Sequence, residues 1–146
     1  MKYKIVPFKQ EHWDMIEFRE FERVAMEKVL NEIRLRVTAS GPTYTGFVDD
    51  KVAGFAGVML MWPGVGEGWI LGSNLFESNK LWFVRNVKRY LENIMNTHQM
   101  HRVQTTVMHG HTELIRLVEF LGMKFEGRLR NYGPNGEDYL IYGRTQ

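Results

Sequence analysis

The sequence predicts an α/β (α+β) fold, a mixed and twisted sheet flanked by helices, and three observations predict it. Segments with apolar residues every three or four positions interleave with short β-branched and aromatic runs. Several of those runs are joined by turn-forming clusters: Asp49-Asp50-Lys51, Pro63-Gly64-Val65-Gly66 and Gly133-Pro134-Asn135-Gly136. A long helical segment lies between two of them, as a right-handed crossover between parallel strands requires. At 146 residues, 44% hydrophobic and 25% charged, the chain is expected to form a single globular domain over 1–146.

Each element follows from local pattern. Tyr3 to Val6 is β-prone and ends at Pro7. From Glu11 to about Thr38 there is neither Gly nor Pro, and Met15, Phe18, Ala25, Met26, Val29 and Ile33 recur at mostly helical spacing, which predicts one or two amphipathic helices. Tyr44–Val48 and Val52–Trp62 read as a hairpin across Asp49-Asp50-Lys51. The second turn leads into a short buried strand ending at Gly72, so three strands run antiparallel in series. Phe76 to about Thr97 returns to helical period, with Phe83, Val87, Tyr90, Leu91 and Ile94 on one face. Val103–Val107 is a strand. His111–Leu121 is a helix with Leu114, Leu117, Val118 and Leu121 in one stripe, closed by Gly122 as a left-handed cap. Phe125–Arg130 and Tyr139–Tyr142 are strands flanking the last turn.

Composition removes several function classes. Nineteen Lys and Arg against seventeen Asp and Glu leave a net charge of +2, too small a surplus to imply nucleic acid. The absence of cysteine excludes a disulfide framework, a thiolate metal site and a cysteine nucleophile. The longest apolar stretch, Val52–Trp62, stops at Pro63, short of the ~20 residues that cross a bilayer. The first residues reach charge at once and contain no apolar signal core, so a cytoplasmic protein is expected.

Weaker motifs have plain explanations. Gly64, Gly66 and Gly68 join two strands, whereas a phosphate loop opens a helix, and a hairpin turn accounts for them better. His98, His101, His109 and His111 match no zinc-ligand spacing and read as capping or surface residues. Lys80, Arg85, Lys88, Arg89 and Arg102 form a basic region best explained as a solvated face. No Gly-x-Ser-x-Gly elbow occurs.

The informative segment is His111–Arg130, HTELIRLVEFLGMKFEGRLR, followed by Asn135-Gly136 and Tyr139–Tyr142. Its helix ending at Leu121-Gly122-Met123 and its strand Glu126-Gly127-Arg128-Leu129-Arg130 resemble the closing segment of the GNAT superfamily of N-acetyltransferases, whose element order agrees over nearly the whole chain. The resemblance implies acetyl-CoA held where two parallel strands splay apart, with unpaired backbone of the earlier strand, Trp69 to Gly72, along the pantetheine arm and Val103–Val107 as its neighbour. The cofactor residues implied are Ile70, Leu71, Gly72, Ser78, Asn79, Lys80 and His111. The diphosphate would sit at the N-terminus of the helix beginning near Phe76, where unpaired N–H groups and the dipole favour anions.

Two departures stand out. The family's Gln/Arg-x-x-Gly-x-Gly/Ala loop is replaced by Leu75-Phe76-Glu77-Ser78-Asn79-Lys80, in which Glu77 repels phosphate and Lys80 attracts it. Val118 stands where many members carry a tyrosine acid, and His111 where an asparagine is common. Glu67 is the candidate base that takes a proton from the ammonium of a small-molecule or protein amine, against the plainer reading of a solvated turn residue. Tyr132 or Tyr139 would replace the acid. The altered loop beside a retained Leu-Gly corner also resembles acetyltransferase-like virion and head-assembly proteins of short-tailed phages. That likeness implies an alternative, a catalytically silent interaction domain of a phage particle, with a virion partner or a second copy of itself.

Overall fold

The computed structural model describes residues 1–17 and 40–146. Among the described residues the seven strands are β1 (Tyr3–Pro7), β2 (Thr43–Val48), β3 (Lys51–Trp62), β4 (Val65–Gly72), β5 (Arg102–Met108), β6 (Lys124–Leu129) and β7 (Tyr139–Thr145). The helices among the described residues are α1 (Gln10–Trp13), α2 (Asn74–Ser78), α3 (Lys80–Thr97) and α4 (Thr112–Phe120). The strands form one sheet in the order β1-β2-β3-β4-β5-β7-β6, every pair antiparallel except β4 with β5. The mixed sheet with flanking helices matches the fold class that the sequence predicts.

The turns explain the register. Asp49 and Asp50 both take positive φ, 48° and 69°, as a two-residue hairpin whose twist matches its strands requires. Gly64, at φ 87°, makes the next turn so tight that Val65 and Gly66, expected in the turn, already belong to β4. Gly122, at φ 88°, ends α4 as expected.

Two helical expectations need correction. The helix expected from Glu11 stops at Trp13, because Trp13 stacks on Phe55 with ring centroids 5.5 Å apart and the buried His12 binds Thr45 Oγ1 at 2.8 Å. These tertiary contacts anchor a single turn and override periodicity. Residues 14–17 are not helical, and the remainder of that expected helix, including Phe18 to Ile33, lies outside the described residues. The helix expected from Phe76 is divided into α2 and α3 at Asn79. The Asn79 side chain donates to Leu75 O at 2.9 Å and accepts from the Tyr3 hydroxyl at 2.7 Å, tying the joint to β1.

The core lies on both faces of the sheet. On one, α3 and α4 pack Leu91, Ile94, Met95, Leu117 and Val118 against Val58, Val103, Val107 and Tyr142. On the other, Trp13, Phe47, Phe55 and Leu71 cluster with Trp69 against them. Among the described residues no helix is long and apolar enough to cross a membrane.

Candidate functional site

The site is built around the two parallel strands. β4 and β5 pair only at Val65 with Arg102, Gly66 with Val103 and Glu67 with Gln104, then diverge toward their C-terminal ends. The Thr105 hydroxyl donates to Gly68 O at 2.7 Å and satisfies the last carbonyl before the gap. Main-chain groups of alternate residues face the same side of a strand, so Ile70, two residues on, presents its N–H and C=O to the opening. Unpaired backbone at this place is what the resemblance implies for a pantetheine arm.

The gap opens onto a cavity of about 540 Å³. Strand alternation sorts its walls. Ile70 and Val107 join Val87, Tyr90, Leu117 and Val118 on the α3–α4 side, whereas Glu67, Trp69, Thr106 and Tyr139 line it from the opposite face. The cavity thus reaches both faces of the sheet through the opening between β4 and β5.

Glu67, Tyr132, Tyr139, Ile70 and Leu71, all singled out from sequence, are brought together around this cavity. Glu67 is half-buried and makes no hydrogen bond or ion pair with the described residues. Tyr139 is also half-buried; burial first, then Glu137 and Tyr132, pushes its phenol above the ordinary value, so it holds its proton. Tyr132 lies on the loop after β6, its ring 5.3 Å from that of Tyr139 and tilted by 56°. The loop is held by Asp138, which accepts from Asn131 N at 3.0 Å and pairs with Arg128 at 2.7 Å. The Asn131 N–H and then Arg128 keep the Asp138 carboxyl below its usual range.

The other residues that the resemblance implies for the cofactor lie apart from the cavity walls. Gly72 is buried at the end of β4, where a Cβ would stand 3.1 Å from Phe76 Cβ. Ser78 closes α2, Asn79 is the joint already described, and Lys80 opens α3. His111 caps α4, its Nδ1 accepting from Leu114 N at 3.3 Å. At the expected diphosphate end, Ser73 Oγ accepts from Leu75 N and the Ser73 carbonyl accepts from Phe76 N and Glu77 N, so the first turn of α2 serves its own donors. The N-terminus of α3 has no such side-chain cap, and Lys80 there pairs with Glu77 at 3.9 Å. Val118, 4% exposed, packs in the core while touching the cavity, as expected from the apolar stripe of α4.

Sequence reasoning missed Thr105, Trp69 as a wall, and the pair Tyr44 and Tyr90, whose rings meet edge to face at 4.9 Å. Only the aromatic character of Trp69 offered a signal, because a hydroxyl that replaces a ladder bond depends on register.

A sheet splayed between its two central parallel strands, with helices over the gap, defines the acetyltransferase fold, and the solved structures of GNAT acetyltransferases share it with this chain. A GNAT-family acetyltransferase from Bacillus anthracis matches with a TM-score of 0.74 at 16% identity, covering 99% of this chain and 95% of that one. An IAA acetyltransferase from Bacillus cereus gives 0.76 at 12%, covering 99% and 100%. An acetyltransferase from Bacillus subtilis in complex with CoA gives 0.74 at 13%, covering 99% of each chain. No family model and no curated protein matches the sequence. The likeness to phage virion proteins gains no support from these structures.

Proposed function

We propose that the chain is an acetyl-CoA-dependent N-acetyltransferase acting on a primary amine. The observation that carries this reading is the gap beyond Glu67 and Gln104, which joins an apolar channel under α3 and α4 to a face holding the Glu67 carboxylate, unpaired among the described residues. The residues present fit the thioester arm: Ile70 offers unpaired main-chain groups, and the channel walls are apolar. For the diphosphate they offer the uncapped start of α3 and the ammonium of Lys80. When bound, acetyl-CoA supplies an activated acyl group. The chain's own residues handle protons: Glu67 takes one from the acceptor ammonium, which must be neutral to attack, and Tyr139 holds one for the leaving sulfur.

Thermal unfolding with and without acetyl-CoA tests this reading. A ligand at ~100 times its dissociation constant that binds only the native state adds about 2.7 kcal/mol. No shift at millimolar cofactor would instead favour the second reading, a catalytically silent acetyltransferase fold. The pairing of Lys80 with Glu77 and the donors taken up by Ser73 support that alternative.

A further inference from the structure

We propose that the β4 face of the cavity selects a primary amine carried on an uncharged apolar body, a monocationic aryl- or alkylamine, as the acyl acceptor. This inference rests on the acetyltransferase reading and narrows it to a substrate class.

Charge inventory carries the argument. Among the described residues that line the cavity, Glu67 is the only charged one. Its carboxylate has no partner among them, so the described walls carry one uncompensated negative charge in surroundings of low polarity. Such a group attracts one ammonium more strongly than it would in bulk water, because the surrounding walls are apolar and lower the local polarity. A second ammonium, as in a polyamine, would find no further carboxylate in the described walls. An acceptor carboxylate, as in an amino acid, would meet Glu67 and find no lysine, arginine or histidine in the described walls. Either mismatch places a charge against apolar walls with no partner among the described residues, which costs binding free energy.

The walls around Glu67 supply the complementary shape. Trp69 lies one side-chain position further along the same face of β4, its indole seated so closely on Gly57 that a Cβ there would stand 3.0 Å from Trp69 Cζ2. Tyr132 and Tyr139 form a second aromatic surface, followed by Gly133 and Pro134. Aromatic faces favour an ammonium as well as a ring. Tyr132, 53% exposed, stands at the outer end of this surface.

The test is calorimetric titration of the full chain with four probes, each in the presence and absence of acetyl-CoA. Phenethylamine is the expected ligand, phenethyl alcohol removes its charge, phenylalanine adds a carboxylate, and spermidine adds further cations. Phenethylamine should bind at least about tenfold more tightly than each of the others, a difference of about 1.4 kcal/mol. Glu67→Gln, which keeps the side-chain shape, should bring phenethylamine down to the level of the alcohol and leave the alcohol unchanged. Tyr132→Ala, at an exposed position that can be truncated without unfolding the core, should weaken both. Phenylalanine or spermidine binding as tightly as phenethylamine would overturn the proposal. So would a preference that survives Glu67→Gln, or phenethylamine that fails to bind under both conditions. Binding of phenethylamine by a protein that ignores acetyl-CoA would instead refute acyl transfer and leave the amine site standing.

Discussion

Replacing Thr105 with valine probes the feature on which the proposed cofactor channel depends. The substitution keeps the side-chain volume and removes the hydroxyl that donates to Gly68 O at 2.7 Å. That carbonyl is the last of β4 before the strands separate, and no β5 N–H takes the hydroxyl's place in the observed register. A net hydrogen bond is worth about 0.5–1.5 kcal/mol, and an acceptor left buried without one costs about 1–3 kcal/mol. Thr105 is half-buried beside an open cavity, so water can reach the carbonyl and the lower part of the range applies, near 1 kcal/mol. For a chain of this length that loss lowers the melting temperature by about 3 °C. Thr105→Ser, which retains the hydroxyl, should recover most of it. Calorimetric melting of the parent and both variants makes the comparison. A valine variant that melts with the parent, or a serine variant that melts with the valine one, would show that the hydroxyl does not hold the mouth of the gap.

Three further outcomes are expected. Lys80→Ala should weaken CoA binding by about 1–3 kcal/mol and Glu77→Gln should strengthen it, as titration calorimetry would show, because Glu77 competes with the diphosphate for Lys80. His12 is buried, and that burial, opposed by Glu11 and aided by Lys9 and Lys4, lowers its pKa below 6.5. Below pH 6.5 the unfolded chain therefore binds a proton that the folded one refuses, so melting temperature should fall on acidification from pH 7 toward 5, with a smaller slope in His12→Asn. Gly57→Ala places a Cβ 2.6 Å from Pro42 O and 3.0 Å from Trp69 Cζ2, so it should destabilise the fold and change the Trp69 fluorescence.

What the sequence made legible follows the reach of each signal. Hairpins were readable because Asp49-Asp50 and Gly64 announce their own backbone geometry within two or three residues. The burial of Leu117 and Val118 was readable because helical period is local. The end of α1 at Trp13 was not, since it depends on Phe55 and Thr45, more than thirty positions away in sequence and brought near only by folding. The division of the long helix at Asn79 depends likewise on Tyr3, 76 positions earlier. Glu67 and Tyr139 could be nominated by residue type, but their shared cavity required the order β4-β5-β7, in which a strand late in the chain lies next to β5.

The same topology explains why the two ends of the site differ in how well they fit their expected ligands. The gap and its apolar walls arise from strand register and core packing, which the fold maintains for its own stability, and they appear here intact. The diphosphate end depends on the short connection after Gly72, where the structure serves itself: Ser73 satisfies the first donors of α2, Phe76 stacks on Phe83 at 5.3 Å, and Asn79 binds Tyr3. Each of these contacts stabilises the joint between the helices while leaving fewer groups for phosphate. If the chain binds CoA, affinity must therefore come disproportionately from the thioester arm in the channel, with Lys80 and the start of α3 contributing the remainder. Pantetheine alone should then retain a larger share of the binding free energy than it would in a protein whose glycine-rich loop wraps the diphosphate. Paired titrations with pantetheine and CoA would show this as a small affinity gap, and a gap of many thousandfold would refute it.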